Sequence, residues 1–519
     1  MSKKTRKLST EDSSEAAERI QRIENGLPAI STGADAPRVQ LTLQKLMELF
    51  KIPGVSVAVI DNFKIAWAKG YGVTEAGTSN PVTPHTLFQA GSVSKPVAAT
   101  GALTLVEQGK LSLDENVNQK LTSWKVPDND FTKEQKVTLR RLLSHSAGLT
   151  IHGFPGYAVD EPVPTLVQIL DGEEPANTEP VRVELVPGTK WSYSGGGTTV
   201  AQQLMIDVTG KSFPHLMREV VFDKVGMDDS SYEQPLPPER SQAAASGTFW
   251  NGEVVPGKWH IYPEMAAAGL WTTPSDLAKF AIDIALSIEG KSNGVISQAM
   301  TREMLTTQIE PLSRSSLGNK QYPDRMGLGF FLGDPTRPHL FGHTGDDAGF
   351  QAMLMMDSDS GQGVTFMANS EFGILLGDCI VENIAQEYGW KNYHHPDRSR
   401  IGASAVLAEI ARLQNTQAAL RQFRALKNQK SARFMPDEDT LLIFAYLLLA
   451  DDKEQEALEV LKLEVEEYPE YSDAYHTLAR VYNVLGERHL AIQNFKKSIE
   501  LNPDDLDAIE NLQTLEGQH

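Results

Sequence analysis

The chain has 519 residues, 40% of them hydrophobic, a formal net charge of −20 and a single cysteine, Cys379. That length admits one large domain and a smaller one, each with its own core, and one cysteine excludes an internal disulfide framework. From Asp437 onward 20 acidic and 6 basic residues put −14 of the charge in the tail, which would repel phosphate backbones and anionic lipid, so neither a nucleic acid nor a membrane surface is expected as a partner.

Residues 1–36 read as a charged leader with a short helix. They contain no apolar h-region, and no run in the chain approaches the roughly eighteen apolar residues of a membrane span, so a cytoplasmic location is expected. The stretch from Val39 to Ile52, VQLTLQKLMELFKI, has the 3.6-residue periodicity of an amphipathic helix. GVSVAVID and KIAWAKGYGV follow as two strands, and the Asp61-Asn62 pair between them signals an antiparallel hairpin.

Next comes QAGSVSKPV, Gln89–Val97, where a glycine turn runs into a helix expected from Ser92 to about Gly109. Pro96 fits only near a first turn, which places Ser92 where unpaired N–H groups and the positive end of the dipole lie. Residues three apart share a helix face, so the Lys95 amine would lie beside the Ser92 hydroxyl and could take its proton. No other lysine in the chain has a serine three residues before it. The Ser92 amide is a candidate oxyanion donor.

TLRRLLSHSAGL reads as a helix ended by Gly148, and the Pro-, Gly- and Glu-rich stretch from there to about Thr189 as long loops. WSYSGGGTTVAQQL places Tyr193 at a turn ahead of a helical run. A phenol whose pKa is lowered by a nearby ammonium could pass the proton to a leaving group; a plain surface or core tyrosine is the competing reading. Thr273, Pro274 and Asp276 mark a helix start. FGHTGD, GFQAMLMMD and GQGVTFMAN then read as successive strands, and ILLGDCIVENIAQEYGW as a closing helix. Within the first of these strands, His343, Thr344 and Gly345 line an edge where a glycine would let substrate backbone lie close, and the Asp346 amide is a second candidate oxyanion donor.

Taken together, S-x-x-K at Ser92, Y-x-x at Tyr193 and H-T-G at His343 resemble the serine β-lactamase and penicillin-binding protein superfamily, closest to its class C branch of β-lactamases, DD-peptidases, D-aminopeptidases and family VIII carboxylesterases. TLRRLLSHSAGL and AAGLWTTPSDLAKF look like segments of the same branch, and the likeness spans roughly residues 40–390. The resemblance implies Ser92 as the acylated nucleophile, Lys95 and Tyr193 as base and acid, the Ser92 and Asp346 amides as oxyanion hole, and no metal or organic cofactor. Two departures bear on substrate. Gly195 stands where the family has asparagine, and His343 where β-lactamases have lysine, which removes the fixed cation for a substrate carboxylate. Esters or amides are therefore expected ahead of β-lactams, and Asp346 and Asp347 would favour neutral or amine-bearing substrates.

The expected architecture is α+β: an antiparallel sheet flanked by helices with a helical subdomain over 37–392, a linker over 393–403, and an all-α domain over 404–519. In the last, Ala445 and Ala479, Ala457 and Ala491, and Pro469 and Pro503 are each 34 apart, so 472–505 resembles a tetratricopeptide repeat and 438–471 a weaker copy. Such repeats imply a protein partner or self-association. The rival functional reading is a β-lactamase-like scaffold that binds rather than catalyses.

Overall fold

The computed structural model describes residues 10–30, 39–292, 294–309, 325–391, 398–428, 436–503 and 505–517. The chain divides into two compact units: residues 1–16, 52–377 and 384–393 form one, and residues 17–51, 378–383 and 394–519 the other.

The first unit is built on a six-stranded antiparallel sheet, in the order Lys64–Gly72, Gly54–Asp61, Gln362–Ala368, Phe350–Asp357, Leu340–Asp347 and Phe331–Leu332. The first hairpin forms because Asn62 and Phe63 both take positive φ, 50° and 58°, between the paired residues Asp61 and Lys64. That is the two-residue turn whose twist matches the strands. Strands Gly54–Asp61 and Gln362–Ala368 are buried along nearly their whole length, as a sheet covered on both faces requires. Thr365 shows one cover, its hydroxyl donating to the Pro274 carbonyl at 2.7 Å. The neighbouring Phe366 meets the other at Gly377, where its ring would lie 3.2 Å from an added Cβ.

Helix Pro274–Ile288 starts where the sequence places it, with the Thr273 hydroxyl accepting from the Asp276 N–H at 3.2 Å. A subdomain of helices, including Ser94–Glu107 and Gly195–Thr209, completes the α+β architecture. Helix 138–148 is shorter than the sequence suggests. It covers only Leu139–Leu143, because His145 takes a left-handed conformation, φ 53°, and stops it three residues before Gly148.

The second unit gathers the C-terminal helices with residues from the N-terminal region. The periodicity from Val39 does not yield one helix: Val39–Leu41 pairs as a strand with Leu27–Ile30, and the helix Leu43–Leu49 begins behind Thr42, whose hydroxyl accepts from the Lys45 N–H at 3.2 Å. Lys45 bridges to Glu409 at 3.0 Å, and Lys51 to Asp451 at 3.1 Å. The 34-residue spacing is carried into the helix boundaries, since Glu454–Glu467 and Arg488–Leu501 begin and end that far apart. Much of the expected linker lies outside the described residues, and helix Arg398–Leu413 begins within it. Among the described residues no helix is long and apolar enough to cross a membrane.

Candidate active site

Ser92 sits on a single helical turn, Gly91–Val93, that leads into helix Ser94–Glu107. The turn is pinned from several sides. The Ala90 N–H donates to the Leu270 carbonyl at 2.9 Å, the Leu270 N–H to the Ser94 hydroxyl at 3.0 Å, and the Tyr232 hydroxyl to the Ser94 carbonyl at 2.7 Å. The Gly91 N–H donates to Asp347 Oδ2 at 3.1 Å. Gly91 has φ 49°, and a Cβ on it would overlap the Asp346 amide nitrogen; only glycine fits there.

Lys95 is 4% exposed, and its Nζ lies 2.7 Å from Ser92 Oγ and 2.8 Å from the Ala267 carbonyl oxygen. Burial pushes the amine down to about 7, against the opposing charge of Asp347, so a large fraction is neutral at physiological pH. The Tyr193 phenol is influenced by the Ser92 side chain, and its ring centroid is 5.0 Å from Lys95 Nζ. Its phenol moves up, not down: desolvation dominates, and the Ser92 side chain offsets only part of it. The expectation of an ammonium-lowered tyrosine fails because the phenol is itself desolvated by burial.

The Tyr193 ring is walled by two imidazoles, His145 at 4.2 Å and His152 at 4.8 Å between centroids, with Phe331 stacked at 6.4 Å. The family resemblance places His145 and His152 near the site, with a structural role expected for His145, but gives neither as a partner of that ring; both come from the segment read as helix end and loop. Ser194 caps helix Gly195–Thr209 by accepting from the Gly197 N–H at 2.8 Å, which fixes Tyr193 one residue outside the helix.

His343 is 1% exposed. Its Nδ1 lies 2.6 Å from the Thr344 carbonyl oxygen, while Nε2 has no hydrogen-bond partner among the described residues. Burial, with Lys95 nearby, pushes the imidazole down to about 3; it is neutral and supplies no cation. Thr344 is half-buried, on a strand whose outer pairing with Phe331–Leu332 stops at Gly342. Beyond that point the strand faces the nucleophile turn. A Cβ on Gly345 would overlap the Ala90 carbonyl and come within 3.0 Å of the Ser92 nitrogen. The glycine at 345 is thus explained by the protein's own backbone, not by substrate.

The two aspartates separate. Asp346 reaches the surface, yet desolvation pushes its carboxyl up to about 7, whereas Asp347 is 5% exposed beneath the Ser92 turn and burial holds its carboxyl well above the usual range. Asp347 therefore supports the turn and gives the pocket no full charge, which corrects the reading of both as pocket acids. Glu264 is fully buried, and burial pushes its carboxyl up to about 8, offset only in part by its own backbone N–H. The place of the family's asparagine is filled: a Cβ on Gly195 would meet Phe154 Cε2 at 3.0 Å and the His152 carbonyl oxygen at 3.1 Å.

This geometry coincides with a match to the beta-lactamase family over residues 39–377. The chain belongs to the beta-lactamase family. This beta-lactamase family member is 26% identical over 373 residues to an unguisins hydrolase of Aspergillus violaceofuscus, covering 66% of this chain and 62% of the relative. It is 25% identical over 296 residues to a teichoic acid D-alanine hydrolase of Staphylococcus aureus, covering 55% and 64%. The chain thus spans less than two thirds of the length of either relative. A solved beta-lactamase/D-alanine carboxypeptidase from Yersinia pestis has the same fold, with a TM-score of 0.54 and 19% identity over 72% of this chain and 99% of that one. The family is one of serine hydrolases.

Proposed function

We propose that the chain hydrolyses small esters or amides through a Ser92 acyl-enzyme, preferring neutral or amine-bearing substrates to carboxylate-bearing ones. The observation that carries this is the 2.7 Å contact between Ser92 Oγ and a lysine desolvated to about 7, which makes the amine a usable base at neutral pH. Neutral Lys95 takes the Ser92 proton as Oγ attacks the substrate carbonyl. The Ser92 and Asp346 amides hold the oxyanion. The protonated Tyr193 phenol donates to the leaving group and is reprotonated from Lys95. Water, activated by the same pair, then releases the acyl group and restores Ser92.

The substrate preference rests on His343, which has no charge to offer a carboxylate, and on Asp346, whose carboxyl, pushed up to about 7 by desolvation, is ionised in part at neutral pH and then favours an ammonium. The names of the unguisins and teichoic acid D-alanine hydrolases support a hydrolytic reaction, the second on a D-alanine group. The test compares turnover of a neutral p-nitrophenyl ester, a D-alanine amide, a carboxylate-bearing ester and a penicillin. Equal rates for the neutral ester and its carboxylate counterpart would sink the preference.

The 34-residue helix pairs read as tetratricopeptide-like and support binding of a protein partner or self-association. Light scattering of the full chain, alone and concentrated, tests the latter. Cytoplasmic residence fits a lone buried cysteine.

A further inference from the structure

His145 makes three contacts with the short segment that carries Tyr193. Its carbonyl accepts the Ser192 N–H at 2.8 Å, its Nδ1 accepts the Ser194 N–H at 3.2 Å, and its ring lies against the phenol ring, 4.2 Å between centroids and tilted by 31°. Both peptide neighbours of Tyr193, and its ring, are therefore held by one side chain and its own carbonyl. His145 is 3% exposed and takes φ 53°, a conformation strained for a residue with a Cβ. That strain turns the imidazole under Tyr193 instead of continuing the helix Leu139–Leu143.

Because Nδ1 accepts, the ring proton belongs on Nε2. Protonation of Nδ1 would break the bond to Ser194 and place a cation near Lys95; burial, Lys95, His343 and His152 all oppose it.

We infer that His145 is a positioning residue: as a neutral Nδ1 acceptor with its ring against the phenol, it fixes the Tyr193 hydroxyl on Ser92 for proton transfer. The inference rests on the reading of Ser92, Lys95 and Tyr193 as the catalytic set. A shift of about 1 Å in such a group costs about 10²-fold in rate.

Two variants separate positioning from folding. His145→Gly takes φ 53° without strain but removes ring and acceptor. His145→Asn tolerates the same backbone and puts Oδ1 near the place of Nδ1. The p-nitrophenol burst from p-nitrophenyl butyrate gives the acylation rate per folded molecule, with melting temperature measured beside it and Ser92→Ala as control. Acylation by His145→Gly is expected to fall about 10²-fold with KM little changed, and His145→Asn to regain about tenfold of that. A His145→Gly rate equal to wild type, with Ser92→Ala inactive, overturns the positioning role and leaves the reading of the site intact. Equal loss in both variants shows that the acceptor is not the device and also overturns it. A burst undiminished in Ser92→Ala overturns the reading itself. Independently of any variant, ¹⁵N NMR of the wild-type protein is expected to show the His145 Nε2–H tautomer at neutral pH, and the Nδ1–H tautomer contradicts the proposal.

Discussion

Gly345 and Ala90 meet backbone to backbone: a side-chain carbon at 345 would overlap the Ala90 carbonyl oxygen and press on the Ser92 amide at 3.0 Å. The strand carrying His343 and the turn carrying Ser92 are thereby locked together, and Asp347 adds its bond to the Gly91 N–H. Gly345→Ala must push the two apart. Since losing one oxyanion donor costs roughly 10²- to 10³-fold, the variant is expected to lose at least about 10² in kcat/KM on p-nitrophenyl butyrate. Near-normal activity would show that this contact does not set the oxyanion site.

The pH dependence follows from Lys95. Its neutral form is the base, so the acylation rate is expected to rise about tenfold per pH unit below about 7 and to level off above it. A stopped-flow burst series checks this. The same shift acts on stability: an unfolded lysine keeps its proton to about 10.4, so the unfolded chain binds more protons between about 7 and that value. There the Lys95 contribution makes the fold more stable as pH rises.

Glu264 acts in the opposite direction. The folded chain holds its proton up to about 8, whereas an unfolded glutamate releases it near 4.3. Between those values the folded state binds more protons, and stability is lost as pH rises. Glu264→Gln removes this term. Chemical denaturation at several pH values is expected to show the variant gaining on wild type, by roughly 5 kcal/mol, from the acid to the alkaline end of that window. Parallel curves for the two proteins would contradict the burial-driven shift.

Gly195→Asn asks whether the family's second motif can be restored. Phe154 and the His152 carbonyl occupy the space, so the single variant is expected to lose about 1–3 kcal/mol through overpacking and to gain no penicillin turnover. Pairing it with Phe154→Ala is expected to recover part of the stability. Calorimetry of the two variants checks the order.

What could be read from the sequence depended on local periods. The S-x-x-K spacing works because Ser92 and Lys95 lie on one turn and the following helix, and the first hairpin carries its own turn signal at Asp61-Asn62. Family likeness places His145 and His152 near the site, but their contact with Tyr193 could not be read, because they reach it only when the chain stops its helix at a left-handed residue and folds the following loop back. Gly345 was identified for the wrong reason, since the Ala90 backbone it meets is brought there by tertiary packing. The split between Asp346 and Asp347 did have a signal: neighbours on a strand point to opposite faces, so one of two adjacent acids had to turn inward.

The central claim is that Ser92, served by a desolvated Lys95, carries the acyl group. Intact-protein mass spectrometry after mixing with a fluorophosphonate tests it most directly, with Ser92→Ala alongside. One adduct per chain on the wild-type protein and none on the variant is the expected result. An unmodified wild-type chain, or an adduct that persists in Ser92→Ala, would contradict the account and turn attention to a beta-lactamase fold used for binding.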